Sequence, residues 1–212
     1  VQEAIDMTYY MAGEGRRMWG QTTPSELRDK FNMSVRTPVG VVGAITPWNF
    51  PIAIPSWKLI PALVCGNTVV LKPASDTPAL AARFVELLGE AGLPDGVVNI
   101  VFGGGSSVGD RMVRHPDIRV ITLTGSRETG VRVLEAGAET LKHVHLELGG
   151  KNAIIVMDDA DLDLAVDGIV WSAFGTSGQR CTAASRVIAH ERVYDAPQKT
   201  LVEADEKLRL GP

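Results

Sequence analysis

The chain has 212 residues, of which 45% are hydrophobic, and its formal net charge is −4. Acidic and basic residues are mixed along it, which argues against a nucleic-acid-binding protein and against a polybasic membrane patch. No apolar run reaches the ~18 residues that a membrane-spanning helix needs. The first residues lack the pattern of a signal peptide, and the two cysteines stand far apart. A reduced, cytoplasmic setting is therefore expected.

Taken in chain order, the apolar spacing of residues 1–19 predicts an amphipathic helix. The polar stretch 22–38 is extended in character and predicts a β arm lying on another element or another subunit. From residue 39 onward, β-branched runs alternate with helical patterns. The predicted strands are 39–46, 68–71, 97–102, 119–123 and 153–157, and the predicted helices are 77–91, 108–114, 129–138 and 161–174.

Short apolar strands separated by helices predict a Rossmann-like α/β fold: an open, mostly parallel sheet with helices on both faces. A second α/β unit begins near Gly149, so the predicted boundary separates 1–148 from 149–212. Ligands of such sheets bind where the carboxyl ends of the strands turn into helices. The sequence starts without a methionine and stops directly after a helical pattern, so we expect a piece of a longer chain.

The first candidate for chemistry is Cys181, which lies among small residues with Arg180 beside it. A cysteine at a turn near positive charge can form a nucleophilic thiolate. The alternative is an ordinary small buried residue. The other cysteine, Cys65, stands among core-forming residues and is interpreted as structural.

Glu147 stands between two leucines at the end of a strand, and two glycines follow it. If this carboxylate is partly desolvated, it is a stronger base that can activate water. The alternative is a side chain on a solvated face.

Asn49 lies in a loop that two prolines stiffen, where its amide could stabilise an oxyanion or merely form a turn. Lys72 follows a strand and could reach ribose or phosphate oxygens, or lie on the surface.

Two glycine-rich turns, 103–109 and 124–130, are candidate phosphate sites. The first departs from the G-x-G-x-x-G pattern at Val108.

Together, and in this order, five motifs resemble the aldehyde dehydrogenase family: TPWNFP at 46–51, LKPAS at 71–75, LTGSRETG at 123–130, LELGGK at 146–151 and GQRC at 178–181. The resemblance extends over residues 1–212. It implies an NAD(P)-binding domain over 1–148, with an oligomerisation arm at about 22–38. Residues 149–212 would begin the catalytic domain.

The resemblance implies that Cys181 attacks the aldehyde carbon, while the Asn49 side chain and the Cys181 backbone N–H hold the oxyanion. Glu147 would activate the water that hydrolyses the thioester. Lys58 would assist proton relay, and Trp57 would line the substrate tunnel. No metal is implied. The residues implied at the cofactor are Ile45, Thr46, Pro47, Trp48, Lys72, Ser75, Gly105, Gly109, Thr124, Gly125, Ser126, Gly130, Leu148 and Gly149.

Many NAD-preferring members have an acidic residue where this chain has Ser75, so NAD and NADP both stay open as the cofactor. The runs 126–130 and 173–181 resemble branches that act on semialdehydes, such as glutamate semialdehyde (as pyrroline-5-carboxylate) and ketoglutarate semialdehyde.

The partners implied are an aldehyde and further copies in a dimer or tetramer. Two alternatives stay open: a coenzyme A-acylating enzyme, which usually lacks a glutamate at position 147, and a non-catalytic structural relative.

Overall fold

The computed structural model describes residues 1–209 and 211, and the chain divides into two compact units, Val1–Leu148 and Gly149–Pro212. The first unit begins with helix α1 (Gln2–Glu14), which a short 3₁₀ turn continues to Arg17. The amphipathic helix predicted for 1–19 is confirmed but ends earlier. Gly13 and Gly15 explain the early end, because glycine is a poor helix former.

The predicted β arm forms an antiparallel pair of short strands, β1 (Thr22–Pro24) and β2 (Phe31–Met33). All six of their residues are exposed. An extended arm is therefore confirmed, whereas its part in oligomerisation stays a prediction.

A five-stranded parallel sheet forms the centre of the first unit, with the strand order β5-β4-β3-β6-β7. Its helices cover both faces, as predicted. Its strands are β3 (Val41–Ile45), β4 (Thr68–Lys72), β5 (Val98–Ile100), β6 (Ile118–Gly125) and β7 (His143–Leu148), and its helices are α2 (Ala53–Val64), α3 (Pro78–Glu90), α4 (Asp110–Arg114) and α5 (Arg127–Ala138).

Two hydrophobic cores lie on the two faces of this sheet, because alternate strand residues point in opposite directions. On one face, Ala44 and Leu71 pack with Leu59 of α2 and Phe84 of α3. The other core contains Ile121 and Leu123 of β6, Met112 and Val113 of α4, and Val133 and Ala136 of α5. The Rossmann-like α/β fold is thus confirmed.

Helix α2 is absent from the sequence-based prediction. Its sequence is apolar on most sides and contains Pro55 and Pro61, so it shows neither an amphipathic stripe nor the composition of a regular helix. The helix forms because it packs into the core: seven of its residues are buried. Tertiary packing overrides the two prolines here.

The interpretation of Cys65 as a core residue is wrong. Cys65 follows the last residue of α2, where the chain turns, and its side chain is exposed. Its sulfur lies 3.5 Å from the sulfur of Met18. The apolar residues that precede Cys65 belong to α2 and pack in the core, whereas Cys65 lies beyond the end of the helix and is accessible to solvent.

The second unit contains two parallel strands, β8 (Asn152–Val156) and β9 (Ala184–Ala189), joined through helix α6 (Leu162–Phe174). Asp161 caps α6, since its carboxylate accepts the Leu164 N–H at 3.1 Å. Helix α7 (Asp195–Asp205) follows β9. Across the described parts of both units, none of the helices combines the length and apolarity that crossing a bilayer requires.

Candidate active site

The loop at 46–51 connects β3 to α2 and is fixed at both ends. The Thr46 N–H donates to the Lys72 carbonyl at 3.1 Å, which ties the loop to the neighbouring strand. The Ile54 N–H donates to the Phe50 carbonyl at 3.1 Å and begins the helix. Between these anchors Asn49 is half-buried. A half-buried amide on a fixed loop is suited to hydrogen-bonding a developing oxyanion.

Trp57 and Lys58 lie side by side on α2 but differ in surroundings. The half-buried Trp57 ring stacks on Phe50, with 6.4 Å between the ring centroids. Lys58 is buried, and its Nζ donates to the Thr122 hydroxyl at 2.9 Å. Burial lowers the pKa of Lys58 to about 8, against the opposing pull of the negative charge on Glu147. A lysine with such a pKa can exchange a proton near neutral pH.

Glu147 is the penultimate residue of β7 and is exposed, with 64% of its side chain accessible. The solvated-face alternative therefore describes this carboxylate in the chain as it stands. Its Oε1 lies 3.5 Å from Nε2 of His145, which precedes it by two residues and shares its face of the strand.

Lys72 ends β4 and is buried, so the surface-lysine alternative is wrong. Its Nζ donates to the Pro73 carbonyl at 3.0 Å, and burial lowers its pKa. Gly109 lies beside its stem: a Cβ there would be in ordinary van der Waals contact with the Lys72 Cε at 3.7 Å. Ser75, three residues beyond, is exposed.

A cavity of about 330 Å³ opens between the ends of β3 and β6 and the helices that cover them. Three predicted cofactor residues, Ile45, Gly105 and Gly109, line it. Ser106 and Thr129, which also line it, lie in the two glycine-rich turns predicted as phosphate sites, whereas the sequence analysis missed Arg132, Val133 and Ala136 of α5. Their spacing of three and four residues is the periodicity of one helix face, which could have identified them.

The turn from β6 into α5 uses its serine for capping. Ser126 Oγ accepts the Thr129 N–H at 3.2 Å, as an N-cap does. Gly130 is buried, and a Cβ there would lie 2.8 Å from a methyl carbon of Leu148. Gly130 thus allows α5 to approach β7 closely. Thr124 and Gly125 end β6 and are half-buried.

In the second unit, Cys181 is exposed in a turn between α6 and β9. The turn is held by Asn152, whose Nδ2 donates to the Cys181 carbonyl at 2.7 Å and to the Ala183 carbonyl at 3.3 Å. Three residues just before it, at 176–178, have positive φ angles of 57°, 53° and 67°. This irregular backbone presents the thiol to solvent.

The Arg180 side chain contacts α6, although its position beside Cys181 in the sequence suggested that its charge would favour the thiolate. Its guanidinium stacks on Trp171, 4.1 Å from the ring centroid, and Nη2 donates to the Trp171 and Ser172 carbonyls at 2.9 and 3.1 Å. The positive charge is therefore used to close the end of α6. Its adjacency to Cys181 gives no ground for an activated thiolate.

The sequence pattern of the aldehyde dehydrogenase family matches residues 1–212. The chain belongs to this family. It is 45% identical over 207 residues to the alpha-ketoglutaric semialdehyde dehydrogenase of Bacillus subtilis, covering 98% of this chain and 42% of that protein. It is 46% identical over 215 residues to 1-pyrroline-5-carboxylate dehydrogenase 2 of Halalkalibacterium halodurans, with coverages of 99% and 42%.

Among solved structures, the chain is similar to the betaine aldehyde dehydrogenase of Staphylococcus aureus in complex with NAD⁺. The TM-score is 0.95 at 38% identity, over 99% of this chain and 42% of that one. This aldehyde dehydrogenase chain thus spans about two fifths of the length of the relatives it matches.

The aldehyde dehydrogenase motifs fall in both units. Asn49, Trp57, Lys58 and Glu147 lie in the first unit, and Cys181 lies in the second. The first unit also holds every implied cofactor residue except Gly149, which is exposed at the start of the second. Pro47 is half-buried and Trp48 exposed on the loop after β3. Within the described residues, no group of three or more His, Cys, Asp and Glu side chains could hold a metal ion.

The sequence analysis missed three polar side chains near the predicted catalytic residues. Thr122 and His145 lie beside Lys58 and Glu147, and Asn152 holds the turn of Cys181. For His145 a pattern was available, since it alternates with Glu147 along one strand. The place of Thr122 beside His145 can be predicted only when the pairing of β6 with β7 is known. The contact of Asn152 with the Cys181 turn likewise requires the pairing of β8 with β9.

Proposed function

We propose that this chain supplies the cofactor-binding residues and the catalytic cysteine of an enzyme that oxidises an aldehyde to a carboxylate with NAD(P)⁺ through a cysteine thioester. The observation that carries the proposal is the exposed thiol of Cys181, held in an irregular turn by Asn152, within a chain that the family pattern matches throughout. An exposed thiol is accessible to a carbonyl carbon, which a packed one is not.

The chemistry proceeds in two halves. The Cys181 thiolate attacks the aldehyde carbon, and the carbonyl π electrons move to oxygen, where the Asn49 amide and the Cys181 N–H stabilise the oxyanion. NAD(P)⁺, when bound, would accept a hydride from the former aldehyde carbon; as that C–H bond breaks, the oxyanion would re-form a carbonyl and leave the carbon on sulfur as a thioester.

The second half returns the enzyme to its starting state. Glu147 takes a proton from water as the water oxygen attacks the thioester carbon. The tetrahedral species then expels the Cys181 thiolate, and the carboxylate product leaves. Lys58, buried and with its pKa lowered to about 8, is the group assigned to proton relay at this step.

The cavity of about 330 Å³ supports a cofactor site in the first unit, because pockets of this size accept part of a nucleotide. Ile45, Gly105 and Gly109 line it, and the buried Lys72 lies against Gly109, within reach of a ribose. The start of α5 is suited to a pyrophosphate. Ser75 carries no charge that would repel a 2′-phosphate, so the site is compatible with both NAD and NADP.

The substrate class that we propose is a semialdehyde. The support comes from the two relatives named above, at 45% and 46% identity, whose names refer to alpha-ketoglutaric semialdehyde and to 1-pyrroline-5-carboxylate. The β arm would join copies of the protein, as the resemblance implies. The exposed Phe31 and Met33 on β2 fit that role, since apolar side chains in water favour a covering partner.

The test is the full-length protein with a panel of semialdehydes, NAD⁺ or NADP⁺, and no coenzyme A. We expect reduced cofactor and free carboxylate in equal amounts over many turnovers. Turnover that requires coenzyme A would identify the acylating class instead. Failure to reduce either cofactor with any aldehyde would favour a non-catalytic relative.

A further inference from the structure

Four polar side chains form a continuous line in the first unit, from the interior to the exposed edge of the sheet. Lys58 Nζ lies 2.9 Å from Thr122 Oγ1, which lies 3.4 Å from Nδ1 of His145. The other nitrogen of that imidazole, Nε2, lies 3.5 Å from Glu147 Oε1. The two distances that involve His145, 3.4 and 3.5 Å, are long for hydrogen bonds, as contacts in active sites without substrate often are.

The sheet register accounts for this line. Thr122 pairs with His145 between the parallel strands β6 and β7, and neighbouring partners in a sheet point to the same face. Glu147 lies two residues beyond His145 and shares that face. Lys58 reaches the same row from α2. The strand pairing, rather than a flexible loop, therefore holds the line together.

The hydrogen atoms have one consistent arrangement while Lys58 is charged. An ammonium group only donates, so Thr122 Oγ accepts from Lys58 and has its single hydrogen left to donate to Nδ1 of His145. A neutral imidazole that accepts at Nδ1 carries its hydrogen on Nε2. Nε2 is also the ring nitrogen that lies 3.5 Å from Glu147 Oε1, so this tautomer places its hydrogen on the side of the carboxylate, which accepts it when the two groups approach to hydrogen-bond distance.

We propose that Thr122 and His145 are positioning residues that orient the Glu147 carboxylate for water activation, with Lys58 selecting the imidazole tautomer through the Thr122 hydroxyl. The inference rests on the proposed function, because it assigns Glu147 as the base in thioester hydrolysis. His145 touches neither the thioester nor the water. It restricts the rotamers of an otherwise exposed glutamate.

The first experiment tests the line in this chain without any turnover. In ¹⁵N-histidine NMR spectra of neutral imidazoles, we expect His145 to be almost entirely the Nε2–H tautomer. Thr122→Val removes the hydroxyl and should return His145 to a mixture, whereas Thr122→Ser should keep the single tautomer. His143 lies two residues earlier on the same exposed face and is the internal control. Identical tautomer ratios for both histidines, unchanged in Thr122→Val, would overturn the proposal.

The second experiment measures thioester breakdown in the full-length enzyme. His145→Gln should slow hydrolysis of the acyl-enzyme at least about tenfold, less than the ~10²–10⁴-fold contribution of an acid–base group itself, because His145 only positions the base. The first-turnover burst and the KM for the aldehyde should stay within about twofold. His143→Gln should leave all three quantities unchanged, and Thr122→Ser should retain the activity that Thr122→Val loses. Equal effects of the two histidine variants, or equal slowing of burst and hydrolysis, would contradict the positioning role. A wild-type enzyme that forms no acyl-enzyme would refute the proposed function itself, which the NMR result does not depend on.

Discussion

The side-chain amide of Asn152 donates a 2.7 Å hydrogen bond to the main-chain carbonyl of Cys181. The bond joins the first residue of β8 to a turn 29 residues later in the chain. A second donor contact to Ala183 makes Asn152 a bracket across that turn. The conformation of the thiol-bearing backbone thus depends on a residue outside the cysteine motif.

Asn152→Ala should loosen this turn, because two hydrogen bonds, each worth about 1 kcal/mol, are lost. We expect alkylation of Cys181 by iodoacetamide to become several-fold faster, measured by mass spectrometry. The exposed Cys65 in the same sample should keep its rate. Asn99→Ala is the matched control, since Asn99 Nδ2 also donates to a main-chain carbonyl, that of Gly96 at 2.9 Å. An unchanged Cys181 rate in Asn152→Ala would show that the bracket is dispensable.

Lys58 should make the stability of the first unit depend on pH. Its pKa is about 8 in the folded chain against an ordinary 10.5, so between these values the unfolded chain binds the proton that the folded chain releases. The free energy of unfolding should therefore rise with pH over this window, by about 3 kcal/mol for the full shift.

Urea unfolding of wild type and Lys58→Met measures this contribution. Subtracting the two unfolding free energies removes the titration of all other groups that the substitution leaves alone. We expect the free energy of unfolding of the wild type to increase relative to that of Lys58→Met as the pH rises from 8 to 10.5. A constant difference across this window would mean that the ammonium of Lys58 is not destabilised by burial.

Gly130→Ala should destabilise the first unit by about 1–3 kcal/mol, the usual cost of overpacking. The added Cβ would lie 2.8 and 2.9 Å from the two methyl carbons of Leu148. Gly89→Ala is the control, because that glycine also lies in a helix but has no atom within 4 Å of the added Cβ. The control should be neutral or stabilising by up to about 1 kcal/mol, since alanine is the better helix former. Thermal unfolding that ranks the two variants the other way would contradict the packing role.

Ser75→Glu should shift the cofactor preference of the full-length enzyme toward NAD. A carboxylate at this exposed position can accept hydrogen bonds from ribose hydroxyls and repels a 2′-phosphate. We expect the ratio of kcat/KM for NADP⁺ to that for NAD⁺ to fall at least about tenfold, as for one unfavourable charge contact of ~1.4 kcal/mol. Ser75→Gln is the uncharged control and should change the ratio much less. An equal ratio in wild type and Ser75→Glu would remove position 75 from cofactor selection.

The sequence was sufficient for the elements whose pattern is local. The alternation of β-branched runs and helical stretches predicted the parallel sheet, and it predicted α5, which begins at Arg127, two residues earlier than expected. Helix α2 was missed because burial, rather than amphipathic spacing, stabilises it. Cys65 was misassigned for a related reason, since apolar neighbours in sequence do not bury the residue that follows a helix end.

The residues of the candidate site also fall into those that a local sequence pattern predicts and those that only the folded chain brings together. Asn49, Glu147 and Cys181 stand in motifs that the sequence shows directly, and Lys58 was named from the family resemblance alone. Thr122 and His145, in contrast, become neighbours only through pairing of β6 with β7. The orientation of Arg180 was equally invisible, because its adjacency to Cys181 in sequence says nothing of its contact with Trp171.

The most direct test of the central claim is a trapped acyl-enzyme in the full-length protein. Glu147→Gln, mixed with a semialdehyde and NAD(P)⁺, should form one equivalent of reduced cofactor and then stall. Intact and peptide mass spectrometry should locate one acyl group on Cys181 and none on Cys65, and Cys181→Ala should form neither reduced cofactor nor adduct while still binding the cofactor. Sustained oxidation by Cys181→Ala, or an acyl group on any other residue, would contradict the account.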